Sequence, residues 1–178
     1  MKKKLMTVLA LVLVIAMSVA GTVAYLTHIT APITNTFTVG NIDIGLAETM
    51  TDFKMVPGCD IAKDPVVTVD ANSEDCWLFV KIDESENLDS FISYAVANGW
   101  TQGDGTNIPA NVWYRAVAKD ATVKSFHLLA NDTVTIDSTA VTNDNMNDAA
   151  NAELVYTAYA CQKDNMSVEA AWAHFTTP

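Results

Sequence analysis

The chain has 178 residues with 10 basic and 21 acidic side chains, a formal net charge of -11. That balance argues against phosphate-backbone binding, which needs clustered Lys and Arg, so no nucleic-acid partner is expected. The length suffices for one domain with a real core, and no linker or internal repeat divides it.

In chain order, Lys2, Lys3 and Lys4 form a positive start, and Leu5 to Val19 is almost wholly apolar, followed by the small residues Ala20, Gly21 and Thr22. This is the pattern of a secretory signal. Its apolar run of roughly fifteen residues is short for a membrane span, which needs about twenty, so cleavage is expected and an uncleaved anchor is the alternative. Small residues at Thr22 and Ala24 place the cut between Ala24 and Tyr25, with a cut after Ala20 as competitor. The expected organisation is a leader over 1–24, a mature N-terminal segment over 25–36 and a folded body over 37–178. Membrane contact then precedes cleavage, a signal peptidase is the partner during export, and the product is extracellular. Loss of the leader removes three lysines and no acid, which takes the charge from -11 to -14.

Thr36 to Val39 alternates polar and apolar residues, Gly40-Asn41 intervenes, and Ile42, Ile44 and Leu46 resume in the opposite phase. The pattern predicts one long strand with a bulge at Gly40; two short strands joined by a Gly-Asn turn are the alternative. Pro57-Gly58 marks a turn. A strand is predicted over Val66 to Val69, and Cys76 to Ile82 reads as a central strand covered on both faces. Leu88, Phe91, Ile92 and Ala95 give a helical stripe within Glu86 to Asn98, stopped by Asn98-Gly99, and Trp100 follows as a cap on the core. Thr101 to Asn111 reads as a loop. Val112 to Ala118, Val123 to Leu129, Thr133 to Asp137 and Glu153 to Gln162 are predicted strands, the third a half-exposed edge. Asn143 to Asn151 is a polar loop, and Ser167 opens a short helix ending at Phe175. The fold class expected is all-β, an antiparallel jelly-roll or Greek-key sandwich with one or two short helices. The unpaired edges of such a sandwich must be protected or used.

Signs of catalysis are sparse. His28, His127 and His174 are the only histidines, none is within helical reach of another, and no HExxH occurs. A zinc hydrolase needs about three protein ligands and an open position. No GxSxG elbow is present. Asp144, Asn145, Asn147 and Asp148 offer oxygen ligands, but the loop lacks the Gly and Glu of an EF-hand in register, so a solvated turn is expected. Neither cofactor nor metal is expected. Trp100, Trp113 and Trp172 are expected in the core. Of Cys59, Cys76 and Cys161, an odd number in an exported chain, at most one internal pair can form. Cys76 and Cys161 both lie in strand-like runs, which leaves open a disulfide between them or buried free thiols.

The runs GTVAYLT and NTFTVGNIDIGL, followed in order by MVPGCDIAKDPVVTVD, CWLFVKIDES, NGW, WYRAV and LVYTAYACQKDNMSVEAAWA, resemble successive blocks of the TasA/camelysin family. Its members are secreted proteins of Gram-positive bacteria processed by a SipW-type signal peptidase. The resemblance covers most of the mature chain and implies a jelly-roll subunit of biofilm-matrix fibres. In such a fibre, the freed N-terminal segment of one subunit adds as a strand to the next, an instance of β-augmentation. The partner would then be a second copy or a related matrix protein, joined head to tail. The donor role falls on Tyr25 to about Phe37, with Tyr25, Leu26, Ile29 and Ile33 as inserting side chains; Pro32 interrupts the pairing. Camelysin relatives have also been classed as metallopeptidases, so the same resemblance carries a surface metallopeptidase as an alternative, and a non-polymerising adhesin or accessory module is another.

Overall fold

The computed structural model describes residues 2–4, 6, 40–51, 56–85, 88–139 and 153–176. The chain separates into residues 1–38 and 39–178. In the first unit Lys2, Lys3, Lys4 and Met6 are helical and exposed; the leader boundary, the cleavage site at Ala24 and Tyr25, and the donor residues Leu26, Ile29 and Ile33 lie outside the described residues.

Among the described residues the second unit has ten antiparallel strands. They are β1 (Ile44–Ala47), β2 (Asp60–Ala62), β3 (Val66–Val69), β4 (Cys76–Glu84), β5 (Ile92–Ser93), β6 (Thr101–Gln102), β7 (Val112–Val117), β8 (Ser125–His127), β9 (Thr133–Ile136) and β10 (Leu154–Gln162). One ladder runs β1-β3-β8, a second β2-β9-β5 and a third β10-β4-β7-β6. The first two are joined where Lys63 N–H donates to the Asp132 carbonyl at 2.8 Å and Leu128 N–H to the Pro65 carbonyl at 2.9 Å. They make one bent layer, and the third ladder makes the facing layer. The chain crosses between layers from β3 to β4, from β4 to β5, from β5 to β6, from β7 to β8 and from β9 to β10.

The side-chain alternation of β4 explains the packing. Cys76, Leu78, Val80 and Ile82 point between the layers and meet Val67, Val69, Phe126 and Leu128. Phe79 points the other way, into a cluster with Ile108, Val112, Ala171 and Trp172. A central strand buried on both faces is therefore what its continuous apolar run encodes. Its outer cover is helix α1 (Val168–Thr176). Ser167 caps this helix: its Oγ accepts from Ala170 N–H at 3.2 Å, satisfying an otherwise unpaired first-turn donor. Phe79 and Trp172 ring centroids are 5.4 Å apart. Trp100 is buried between the layers and its indole N–H donates to the His127 carbonyl at 2.9 Å.

Three expectations are corrected. Glu86 to Asn98 is not a helix: the described part has a 3-10 turn at Leu88–Ser90, then β5 and a bridge from Val96 to Leu129. Leu88, Phe91 and Ile92 are buried as the stripe predicted, but against Leu129, Val134 and Ile136, and that cross-strand burial overrides local periodicity. Strand β9 is not an edge; it lies between β2 and β5. In the stretch around Gly40, the strand begins only at Ile44. Residues before it are tied to the β3–β4 turn instead: Asp43 N–H donates to Ser73 Oγ at 3.1 Å and Glu74 N–H to the Asn41 carbonyl at 3.0 Å. The portion of the expected bulged strand before Gly40 lies outside the described residues.

Candidate assembly site

The edges of the two layers provide the chemistry. On one side of the sandwich, among the described residues, β1 pairs only with β3, and β10 only with β4. On the other side, the edge of the bent layer is β5 and its continuation to Ala97, while the facing edge is the two-residue β6. Ala97 N–H donates to the Leu128 carbonyl and Ala130 N–H to the Ala95 carbonyl, both at 2.8 Å. Main-chain groups alternate in direction along an antiparallel strand, so those of Tyr94 and Val96 point outward. Among the described residues they have no backbone partner.

Beside this open edge is a groove of ≈ 780 Å³ between the layers, with Ile82, Ile92, Val96 and Trp113 on its apolar walls and Gln102 and Asn111 opposite. Tyr94 lines it and donates its hydroxyl to the Glu84 carboxylate. Burial first, and the Glu84 hydrogen bond second, raise the Tyr94 pKa well above the usual phenol range. The Gln102 amide is held by the Ala110 carbonyl at 2.9 Å, and the Asn111 amide by Asp83 at 3.1 Å. The arrangement has the two parts that bind an extended peptide: outward main-chain groups two residues apart, and an adjoining apolar trough for alternate side chains.

A second buried polar group ties three strands together. Lys63 Nζ meets Glu48 Oε1 at 2.7 Å and lies 5.4 Å from the Tyr156 ring centroid. Among the described residues the buried Tyr156 hydroxyl has no hydrogen-bond partner, and burial pushes its pKa up strongly. In the β6–β7 loop, Asp104 Oδ1 accepts from the N–H groups of Thr106, Asn107 and Ile108 at 2.9, 2.8 and 3.0 Å. Those backbone donors, Ile108's the largest contribution, lower its pKa to about 2.

The structure does not bring His127 and His174 together. His127 lies on β8 with its Nδ1 2.7 Å from Asp132 Oδ1, His174 is in the last turn of α1, and His28 lies outside the described residues. Among the described residues, no group of three or more His, Cys, Asp or Glu is placed to hold a metal ion. The oxygen-rich loop with Asp144, Asn145, Asn147 and Asp148 also lies outside them.

Of the two alternatives for Cys76 and Cys161, the structure has free thiols. Cys76 and Cys161 are on neighbouring strands as read, but Cys76 stands opposite Gln162 and Cys161 opposite Trp77. A shift of one residue sends the two sulfurs to opposite faces of the sheet. All three cysteines are free, and Cys161 Sγ instead lies 3.7 Å from Met166 Sδ.

The edge at Tyr94 and Val96 is hidden in the sequence by the helical stripe of Leu88, Phe91, Ile92 and Ala95 that runs across it. The signal was present: Ile92, Tyr94 and Val96 alternate with Ser93 and Ala95, a period of two. Comparison with protein-family models, with curated proteins and with solved structures gives no match to this chain. Among the described residues, no helix is long and apolar enough to cross a membrane.

Proposed function

We propose that the protein is a secreted structural subunit of the extracellular matrix or cell surface, a jelly-roll sandwich that forms or joins fibres by strand addition. The observation that carries this reading is the outward edge at Tyr94 and Val96 beside its apolar groove. The incoming strand is the N-terminal segment of a second copy, freed by a signal peptidase cutting between Ala24 and Tyr25. Tyr25, Leu26, Ile29 and Ile33 supply the side chains that enter the groove. Each junction is head to tail and leaves the next edge free, so it propagates a filament and does not close a ring. The jelly-roll assignment is supported by the pairing of β3 with β8 and of β4 with β10 and β7 in facing layers, with repeated crossings between them. The family resemblance of the ordered sequence blocks supports the same reading.

The test is to prepare the chain from Tyr25 and from Phe37 as monomers and follow both by negative-stain electron microscopy. Filaments from the first and none from the second are expected. If both remain monomeric across pH and salt, self-assembly by this segment is wrong.

A further inference from the structure

Strand β10 (Leu154–Gln162) is nine residues long and ends the β10-β4-β7-β6 sheet. Its sequence, LVYTAYACQ, holds no charged side chain and no proline, and its register with β4 runs without a bulge. Short length, charge, proline and bulges are what usually keep an edge from pairing, and β10 has none of them. Strand β1, the edge of the facing layer on this side, has only four residues.

Hydrogen bonds at the two ends fix which main-chain groups are free. Ser85 N–H donates to the Glu153 carbonyl and Lys163 N–H to the Asp75 carbonyl, both at 2.9 Å, so the ladder extends one residue beyond each end of the strand. Odd-numbered residues of β10 therefore aim their main chain at β4, and Leu154, Tyr156, Ala158, Ala160 and Gln162 turn theirs outward. Among the described residues these outward groups have no backbone partner. Solvent also reaches the edge. Ala158 and Ala160 point between the layers yet are only partly buried, while Val80 and Leu78, their partners on β4, are fully buried. Val155, on the outer face, is 46% exposed.

We infer that β10 is a self-association edge whose occupant is β10 of a second copy, running antiparallel about a twofold axis at Ala158. In that register Leu154 meets Gln162, Tyr156 meets Ala160 and Ala158 meets its own counterpart, so the outward N–H and C=O groups satisfy one another. Outer-face side chains are matched as well. Val155 stands opposite Cys161, Thr157 opposite Tyr159, and Glu153 opposite Lys163 at both ends of the contact. Among the described residues neither Glu153 nor Lys163 is in an ion pair, and Lys163 Nζ lies 5.4 Å from the Trp77 ring centroid. A twofold axis at another residue of the strand separates these two charges. Other carboxylates near the edge are engaged: Asp75 accepts from Lys119 N–H, Asp83 pairs with Lys81, Glu84 accepts from Tyr94 and Glu48 pairs with Lys63. Asp164 lies beyond Lys163, in the turn that leads to α1. The contact closes on itself, so it joins copies in pairs, and it uses neither the Tyr94 groove nor the segment beginning at Tyr25.

Disulfide trapping tests strand, register and partner together. Within one chain Val155 and Cys161 are about 20 Å apart along the strand, too far for a disulfide, whereas in the twofold contact they are directly opposite. The full chain carrying Cys59→Ser and Val155→Cys is oxidised mildly and run on a non-reducing gel. A covalent dimer is expected in which peptide mass analysis finds the introduced thiol joined to Cys161, and it should disappear with Cys161→Ser. Adding Glu153→Lys is expected to slow trapping about tenfold, since a like-charge pair replaces an opposite one at both ends, and adding Lys163→Glu as well should restore it. Absence of that cross-link would overturn the inference, and alkylation then names what replaces the second copy. Slow modification of the introduced thiol, relative to the unfolded chain, shows an edge covered by the chain's own residues; fast modification shows a monomer with a bare edge. Trapping unchanged by Glu153→Lys would overturn the register about Ala158.

Discussion

Lys63 and Glu48 meet at 2.7 Å with only 10% and 13% of their side chains exposed, so a charge pair clamps the end of β1 to the β2–β3 junction. An ion pair this buried gains little over an apolar pair, but taking away one member strips a buried charge of its close counter-charge, which is costly. Glu48→Leu and Lys63→Met, each alone, are therefore expected to lower unfolding stability by about 3–5 kcal/mol. The double variant Glu48→Leu/Lys63→Met should lose much less than the sum of the single changes. Urea unfolding of the four proteins measures this; additive losses would show that the pair is not coupled.

Tyr94 and Tyr156 are expected to keep their protons where ordinary tyrosines ionise. Burial raises both pKa values, with the Glu84 hydrogen bond adding to that of Tyr94. A folded-state pKa raised above the unfolded one favours folding below the unfolded value, and that contribution fades as pH rises beyond it. Ultraviolet titration of Tyr94→Phe and Tyr156→Phe should match the native chain up to about pH 11, provided each protein stays folded. A lost phenolate step in either variant below that pH would contradict the burial.

Asp104 works in the opposite direction. Its pKa is lowered from 3.8 to about 2 by backbone donors, so its contribution is present above the unfolded value and is lost as pH falls through the folded one. The difference in thermal midpoint between the native chain and Asp104→Asn should be constant near neutrality and shrink between those two pKa values. A difference independent of pH in that window would mean that the loop does not depend on the ionised carboxylate.

Val96→Pro tests the open edge directly. The Val96 N–H has no backbone partner among the described residues, so proline removes an outward donor without breaking an internal ladder bond. The expected result is a folded monomer, judged by far-ultraviolet circular dichroism, whose filament formation is lost or strongly slowed. Filaments at the native rate would move the acceptor away from this edge.

The layers were largely legible from residues. Val66 to Val69, Cys76 to Ile82, Val112 to Ala118 and the last long strand carried their own apolar patterns, and Ser167 announced the terminal helix. What failed was the segment from Leu88 to Val96. Its apolar residues satisfy a helical stripe and, from Ile92 onward, an alternating strand equally well, and only burial against Leu129, Val134 and Ile136 decides between them. The central place of β9 was equally hidden, since alternation reports one buried face and says nothing about how many strands flank it.

Helix α1 has a consequence for how copies of this molecule can meet. It occupies the outer surface of the β10-β4-β7-β6 sheet. The outer surface of the other layer carries hydroxyls and charge, with Thr68 near Ser125 and Thr135 bonded to Asp60. Among the described residues, neither broad surface invites the dry lamination by which cross-β material thickens. In the proposed fibre, growth would therefore run along the rims of the sheets and give thin, unbranched strands of subunits instead of sheets or bundles.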